Sequence, residues 1–353
     1  MLKPKVFIFS PADPTGETYR QMASDGCDVV LGDASWHTPM GNNEEDMCEM
    51  AKGADALSGT SIRSSPITAR IMASAPELRI IAKTTIGVDD VDLTAATERG
   101  VLVTHCPAEA NWSGVAEGTL AIILTLLKKP RERDEAVKRG EWRDPALQGR
   151  YIGRRQDGYA GLTVGIIGLG RIGCRLAELL GPWRVRILAC DPYVDLSRFV
   201  LCNAERVDLD TLLRESDIVS LHVTLTEETR MMIGSRELGL MKPDAILVNT
   251  ARGQVIDEDA MIRALQNGKL AAAGLDVFQN EPLPPDSLLR ELGHKVLLSL
   301  HMVTSNLNSG LKPGIEWATR SMFSALRGEV PDNVFNKEVI PKWLERFGGR
   351  KVL

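Results

Sequence analysis

The stretch Ile166-Ile167-Gly168-Leu169-Gly170-Arg171-Ile172-Gly173 constrains this chain more than any other. The apolar run Thr163 to Ile167 reads as a buried strand, and Arg171 to Leu180 carries Ile172, Leu176, Leu179 and Leu180 at helical spacing. A G-x-G-x-x-G turn has meaning when it joins a strand to a helix in this way. Gly168 permits the tight turn, Gly170 lets backbone approach a pyrophosphate, and Gly173 lets helix and strand close up. The helix N-terminus then presents N–H groups and a positive dipole end to the phosphates. The next apolar run, Val185–Cys190, ends in Asp191, 18 positions beyond Gly173. An acid there accepts hydrogen bonds from both ribose hydroxyls and repels a 2′-phosphate. The expectation is a dinucleotide site that takes NAD in preference to NADP. The competing reading is a glycine-rich turn followed by an unrelated strand-end acid.

The rest of the chain must house that unit. A length of 353 residues suits two domains. With 44% apolar and 25% charged residues the composition is that of an ordinary globular protein. The net charge of −5 argues against nucleic acid or an anionic membrane as the main partner. The six cysteines are scattered, without C-x-x-C pairs or zinc spacing, so no metal site is expected and reduced thiols in a cytoplasmic protein fit best. The apolar run at Val6–Phe9 is too short for a signal peptide. No apolar run approaches the roughly 18 residues of a membrane helix.

Taken in order, Val6–Ser10, Cys27–Leu31, Ala54–Ser58, Leu78–Ala82 and Val101–Thr104 read as strands, with helical patterns at Asn43–Gly53 and Ile67–Ser74 between them. That alternation predicts a parallel α/β unit. It lacks the glycine fingerprint, so it forms a second, smaller domain. Its fourth strand runs into Lys83-Thr84-Thr85-Ile86-Gly87-Val88-Asp89-Asp90, where backbone N–H groups are placed to meet an anion. The alternative is a plain strand-to-helix loop with Asp90 or Asp92 capping the next helix. His105-Cys106-Pro107 marks a candidate boundary. Asn111 to about Gly140 reads as one long helix, apolar in its first half and charged in its second, a pattern suited to a subunit interface. Arg143–Tyr159, with Arg150, Arg154 and Arg155, is a long basic loop, either functional or packed on a partner. Beyond the fingerprint, strands at Asp217–Leu221, Ala245–Asn249, Ala272–Val277 and Lys295–Leu300 bring the second sheet to six. Leu311–Leu326 is a helix, and the mixed, basic tail Lys337–Leu353 is too short for a domain and should rejoin the first.

Ligands of open parallel sheets sit outside the C-terminal strand ends. There the sequence places Arg252 after Ala245–Asn249, Asp276 and Glu281 in and after Ala272–Val277, and His301 after Lys295–Leu300. Hydride transfer to a ketone leaves negative charge on oxygen, which calls for a proton donor, and histidine titrates nearest neutrality. A carboxylate beside it, such as Glu281, favours the proton-loaded form. Arginine's planar fork can hold a carboxylate and polarise the adjacent carbonyl, and Asp276 could position a carboxamide. Each has a plainer reading: a surface ion pair for the arginine, a turn for Glu281-Pro282. His222 and His105 also end strands and compete for the acid role, whereas His294 precedes its strand and His37 lies far upstream.

Four stretches together carry a family likeness: Thr85-Ile86-Gly87-Val88-Asp89, Gly168 to Gly173, Val248-Asn249-Thr250-Ala251-Arg252-Gly253 and Gly274-Leu275-Asp276-Val277-Phe278-Gln279-Asn280-Glu281-Pro282. From about Ala54 to Asn336 the chain resembles the D-isomer-specific 2-hydroxyacid dehydrogenases, which include the D-3-phosphoglycerate dehydrogenases. The resemblance implies two doubly wound parallel-sheet α/β domains, a Rossmann NAD-binding domain (108–303) inserted in a smaller flavodoxin-like substrate domain (1–107 plus 304–353). It also implies a cleft that closes on substrate and a homodimer built on the helical arm at 111–140. In that frame Arg252, Glu281 and His301 are catalytic, with Glu281 orienting the histidine. Arg171, Ile172, Asp191, Thr250 and Asp276, with Gly168, Gly170 and Gly173, hold NAD. Ile86, Gly87 and Val88 take the substrate carboxylate alongside Arg252.

The chain also departs from the pattern. Leu300-His301 replaces the usual Pro-His, the glycines that normally follow are absent, and Val223-Thr224-Leu225-Thr226 lacks a usual proline. Lys83 stands where phosphoglycerate-type members carry an arginine that faces a distal anion. That suggests a substrate with a second negative group; the plainer reading is a lysine pointing to solvent. The function expected is interconversion of a D-2-hydroxy acid and its 2-keto acid. The alternatives are an NAD(H)-sensing, corepressor-like binding protein, or oxidation of formate or phosphite on the same scaffold.

Overall fold

Twelve β-strands account for both sheets of the computed structural model, which describes residues 3–35, 41–60, 65–306 and 311–353. The chain divides into two units, Met1–Asn111 with Ser305–Leu353, and Trp112–Thr304. The seam therefore falls at Asn111/Trp112, a few residues beyond the Pro107 expected, and inside the first turn of a helix.

In the first unit β1 (Lys5–Ser10), β2 (Asp28–Leu31), β3 (Ala56–Gly59), β4 (Ile80–Lys83) and β5 (Leu102–Thr104) form a parallel sheet in the order 2-1-3-4-5. That is the flavodoxin-type order. Alternate residues of β1 feed opposite cores, Phe7 and Phe9 one and Val6 and Ile8 the other, so both faces are covered. The tail, mixed in its sequence pattern, forms the helix Ile340–Phe347. Its Trp343 is wholly buried and donates Nε1–H to the Arg79 carbonyl at 2.9 Å, which seals the C-terminus onto this unit.

The second unit holds β6 (Thr163–Ile167), β7 (Arg186–Cys190), β8 (Glu205–Arg206), β9 (Ile218–Leu221), β10 (Ile246–Asn249), β11 (Ala272–Leu275) and β12 (Val296–Leu298). The order is β12-β11-β10-β9-β6-β7-β8, every pairing parallel. This is the 3-2-1-4-5-6 dinucleotide-binding order with one further strand. The sheet thus has seven strands where six were expected. The further strand is β12 at one edge; the one absent from the sequence reading is β8 at the other, two exposed charged residues without a hydrophobic pattern.

The single helix expected over 111–140 is two, Glu109–Lys128 and Pro130–Lys138. Pro130 has no N–H to donate and disfavours α geometry in the residue before it, and Lys129 accordingly turns left-handed, at φ 54°. The first of these helices is, by length and composition, apolar enough to cross a membrane, contrary to the expectation that no apolar run approaches that length. Here it packs as a core helix, with Ile122, Ile123, Leu126 and Leu127 buried against the second sheet and Ile122 pressed on Gly274 of β11. The basic loop after it is fastened to its own unit. Arg150 pairs with Asp217 and Asp244 at 3.4 and 3.3 Å, Arg155 pairs with Asp157 at 2.6 Å, and Ile152 is buried.

Candidate active site

At the fingerprint each glycine meets a distinct constraint. Gly168 sits at φ +92°, and a Cβ there would lie 2.8 Å from the His222 backbone. A Cβ on Gly173 would stand 2.3 Å from the Gly168 carbonyl oxygen, so helix and strand could not close. A Cβ on Gly170 would meet nothing within 4 Å. Open space above a helix N-terminus is what a pyrophosphate requires, and the residues present fit a dinucleotide. Arg171 and Ile172 form the first turn of that helix, Arg171–Leu180.

Asp191 follows β7 directly and ties the turn together. Its Oδ2 accepts the Leu169 N–H at 2.8 Å and its Oδ1 the Tyr193 N–H at 2.9 Å. Beside it lies a cavity of about 570 Å³ lined by Cys190, Asp191, Pro192, Arg206, Asp208 and Thr211 among others. This is where the ribose and adenine ends of a dinucleotide fall in this fold. The edge strand β8 supplies Arg206 to its wall.

The ends of β10, β11 and β12 build the second half. Asn249 braces the turn after β10, with Oδ1 accepting the Ala251 N–H at 3.0 Å and Nδ2 donating to the Arg252 carbonyl at 2.9 Å. Arg252 is partly buried and donates from Nη1 to the Ala251 carbonyl at 2.7 Å. Its neighbour Gly253 lies so close to Phe278 that a Cβ would come within 1.9 Å of that backbone. Only glycine allows the Arg252 and Glu281 segments to lie side by side.

Glu281 is held at both oxygens. Oε1 accepts the Phe278 N–H at 2.9 Å, and Oε2 lies 2.8 Å from His301 Nδ1. The pair is open, with 14% of the Glu281 side chain and 37% of the His301 side chain exposed. His301 adopts φ 55°, a left-handed conformation that a non-glycine residue holds only when its surroundings enforce it. Asp276 supplies the enforcement: Oδ1 accepts the Met302 N–H at 3.1 Å and Oδ2 the Val303 N–H at 3.2 Å. Burial pushes the Asp276 carboxyl up, opposed by a hydrogen bond from Ser299, the nearby His301 and those two N–H groups. Val303 in turn packs against Gly118, where a Cβ would clash. The missing glycines after His301 are thus replaced by a turn pinned from below. Sequence reading gave Asp276 to the cofactor and did not see this duty. It also missed Glu258, whose Oε2 accepts the Gln279 N–H at 3.1 Å and steadies the Glu281 turn. Thr250 shares a buried hydrogen bond with Thr119 at 2.9 Å.

The other described histidines have partners of their own. His222 bonds Ser220 at 2.9 Å, and burial pushes it down to about 3, so near neutrality it is uncharged and lacks the acidic imidazolium proton. His105 stacks edge-on with Phe335 in the first unit. His294 contacts Glu135 at 3.2 Å on the far side of its strand, and His37 lies outside the described residues.

In the first unit, Val88 is buried and Ile86 and Gly87 are partly exposed in the loop after β4. Asp92 caps the helix Leu93–Glu98 by accepting the Ala95 N–H at 2.9 Å. Lys83 overturns both of its expected readings. It faces neither a substrate anion nor solvent: its side chain is fully buried, with Nζ 2.5 Å from Asp90 Oδ2 and 2.9 Å from the Thr60 carbonyl. A sealed lysine beside its own carboxylate offers no charge to a ligand.

Known proteins agree with this geometry. The family model of the D-isomer specific 2-hydroxyacid dehydrogenase NAD binding domain matches residues 120–303. The chain is 36% identical over 345 residues to a glyoxylate reductase of Thermofilum pendens, covering 96% of each. It is 36% identical over 315 residues to a D-3-phosphoglycerate dehydrogenase of Methanocaldococcus jannaschii, covering 88% of this chain and 57% of that one. Among solved structures, D-lactate dehydrogenase of Aquifex aeolicus, complexed with NAD and lactic acid, aligns at a TM-score of 0.80 and 28% identity over 94% of this chain and 99% of that one. Fingerprint, strand-end histidine and glutamate, and near full-length likeness lead to one conclusion: the chain belongs to the D-isomer specific 2-hydroxyacid dehydrogenase family and is an NAD-dependent oxidoreductase.

Proposed function

We propose that the enzyme interconverts a small 2-keto acid bearing a single negative charge with its D-2-hydroxy acid. Glyoxylate, pyruvate and hydroxypyruvate are the first substrates to try, with NADH preferred to NADPH. The 2.8 Å contact of Glu281 with His301 Nδ1 carries the reading. By accepting the Nδ1 proton, Glu281 fixes the ring and leaves Nε2 to give a proton to the carbonyl oxygen as it becomes a hydroxyl, and to take it back in reverse. The Arg252 guanidinium holds the substrate carboxylate and polarises its carbonyl. Backbone at Ile86, Gly87 and Val88 receives the same carboxylate. Asp191 binds the ribose hydroxyls and disfavours a 2′-phosphate. Thr250 and Asp276 flank the nicotinamide end. A bound nicotinamide supplies or accepts the hydride.

The preference for one charge is supported by the burial of Lys83 against Asp90 and by likeness to glyoxylate reductases over nearly the whole chain. The test is NADH oxidation against glyoxylate, pyruvate, hydroxypyruvate, phosphohydroxypyruvate and sulfopyruvate, repeated with NADPH. The expected kcat/KM is at least about tenfold higher for the best monoanion than for either dianion. Phosphohydroxypyruvate as the best substrate would overturn this reading.

A further inference from the structure

We propose that the buried Lys83–Asp90 ion pair is a staple that sets the shape of the loop between its members, and so positions the backbone that meets the substrate carboxylate. This rests on the assignment of Ile86–Val88 to that carboxylate. Lys83 is the last residue of β4 and Asp90 lies just before the capped helix Leu93–Glu98, so the pair bridges the two ends of Thr84–Asp89. Each end is fixed again from outside the loop. Lys83 Nζ donates to the Thr60 carbonyl and lies 5.0 Å from the centre of the Phe9 ring, while the Asp90 carbonyl accepts the Ile67 N–H at 2.7 Å. Thr84 N–H bonds the Gly59 carbonyl at 3.0 Å, the Thr85 carbonyl accepts the Cys106 N–H at 2.9 Å, and a Cβ on Gly314 would come within 2.0 Å of the Thr84 carbonyl oxygen. Within the loop Thr84, Thr85 and Val88 are buried, Ile86 and Gly87 at its apex are partly open, and Asp89 is exposed.

Stability is a poor reason for such a pair. Desolvating both charges offsets most of their attraction, and apolar side chains of similar volume commonly fold as well. What apolar replacements do not supply is direction, because a charged hydrogen bond of 2.5 Å fixes both loop ends at one separation. Lys83 and Asp90 are positioning residues in this account and touch no substrate.

The experiment uses the full chain with Lys83→Met and Asp90→Leu combined, and Lys83→Gln with Asp90→Asn as a second, uncharged pair should the first fail to fold. The staple predicts a folded variant whose amides over 84–89 exchange about tenfold faster. It also predicts a KM for glyoxylate, or for whichever keto acid the wild type reduces best, raised about tenfold or more with kcat within about threefold. Unchanged exchange in a folded variant would overturn the staple. Faster exchange with unchanged KM would overturn its link to substrate. A wild type that reduces no keto acid would sink the substrate assignment instead, and the exchange measurement would still decide the staple.

Discussion

Two acid–base pairs at the C-terminal ends of parallel strands differ sharply in burial, and the roles proposed for them differ with it. Glu281–His301 and Lys83–Asp90 have similar separations, 2.8 and 2.5 Å. The first is open to solvent through its histidine, and the second is sealed at 0% and 1% side-chain exposure. An open pair can exchange its proton with a ligand; a sealed pair can only hold shape. Burial, more than residue type, separates chemistry from architecture here.

The sharpest ways to break that contrast begin with Arg252, which is proposed to act beside the open pair. Arg252→Ala should lower kcat/KM by roughly 10³, about 4 kcal/mol, because a charge-assisted fork to the carboxylate and carbonyl is lost. Steady-state kinetics read this directly, and a loss below about tenfold would remove Arg252 from the site. Next, Lys83→Met alone strands a buried carboxylate and should cost about 3–5 kcal/mol of stability. Urea unfolding with an unchanged midpoint would show that the pair is not sealed. Glu281→Gln should instead leave the urea midpoint nearly unchanged while kcat falls about 10- to 100-fold, since the ring loses the negative charge that favours its protonated form but keeps its place. A purely structural Glu281 would give the reverse result.

The smallest effect concerns His222. Its folded value near 3 lies below the ordinary value near 6.5, so between these the unfolded chain binds a proton that the folded chain does not. Stability contributed by neutral His222 is present above about pH 6.5 and is lost as pH falls toward 3. The decline in urea midpoint from about pH 6.5 to 4.5 should be shallower in His222→Gln, and equal slopes would refute the assignment.

How far the sequence revealed the molecule follows the same divide. Fingerprint glycines, strand ends and the residues on them were legible because each leaves a local mark: a forced turn, an apolar run, an acid or base after it. Strand β8 was not, because two exposed charged residues have no period. The break at Lys129 was visible in principle, since Pro130 cannot continue a helix, but the surrounding pattern outweighed it. Lys83 was misread because a side chain's direction depends on a partner seven positions away and on Phe9 and Thr60, which no local pattern relates. Asp276 could be recognised as a strand-end acid but not as the brace for His301, because that bond closes only once β11 and β12 pair.

The most direct test of the account is His301→Ala, measured for glyoxylate turnover and for NADH affinity by fluorescence titration. A kcat reduced by roughly 10³ with NADH binding retained is expected, because the proton donor is gone while the fingerprint is untouched. Undiminished turnover in that variant would contradict it, leaving the Glu281–His301 pair with structure alone to explain.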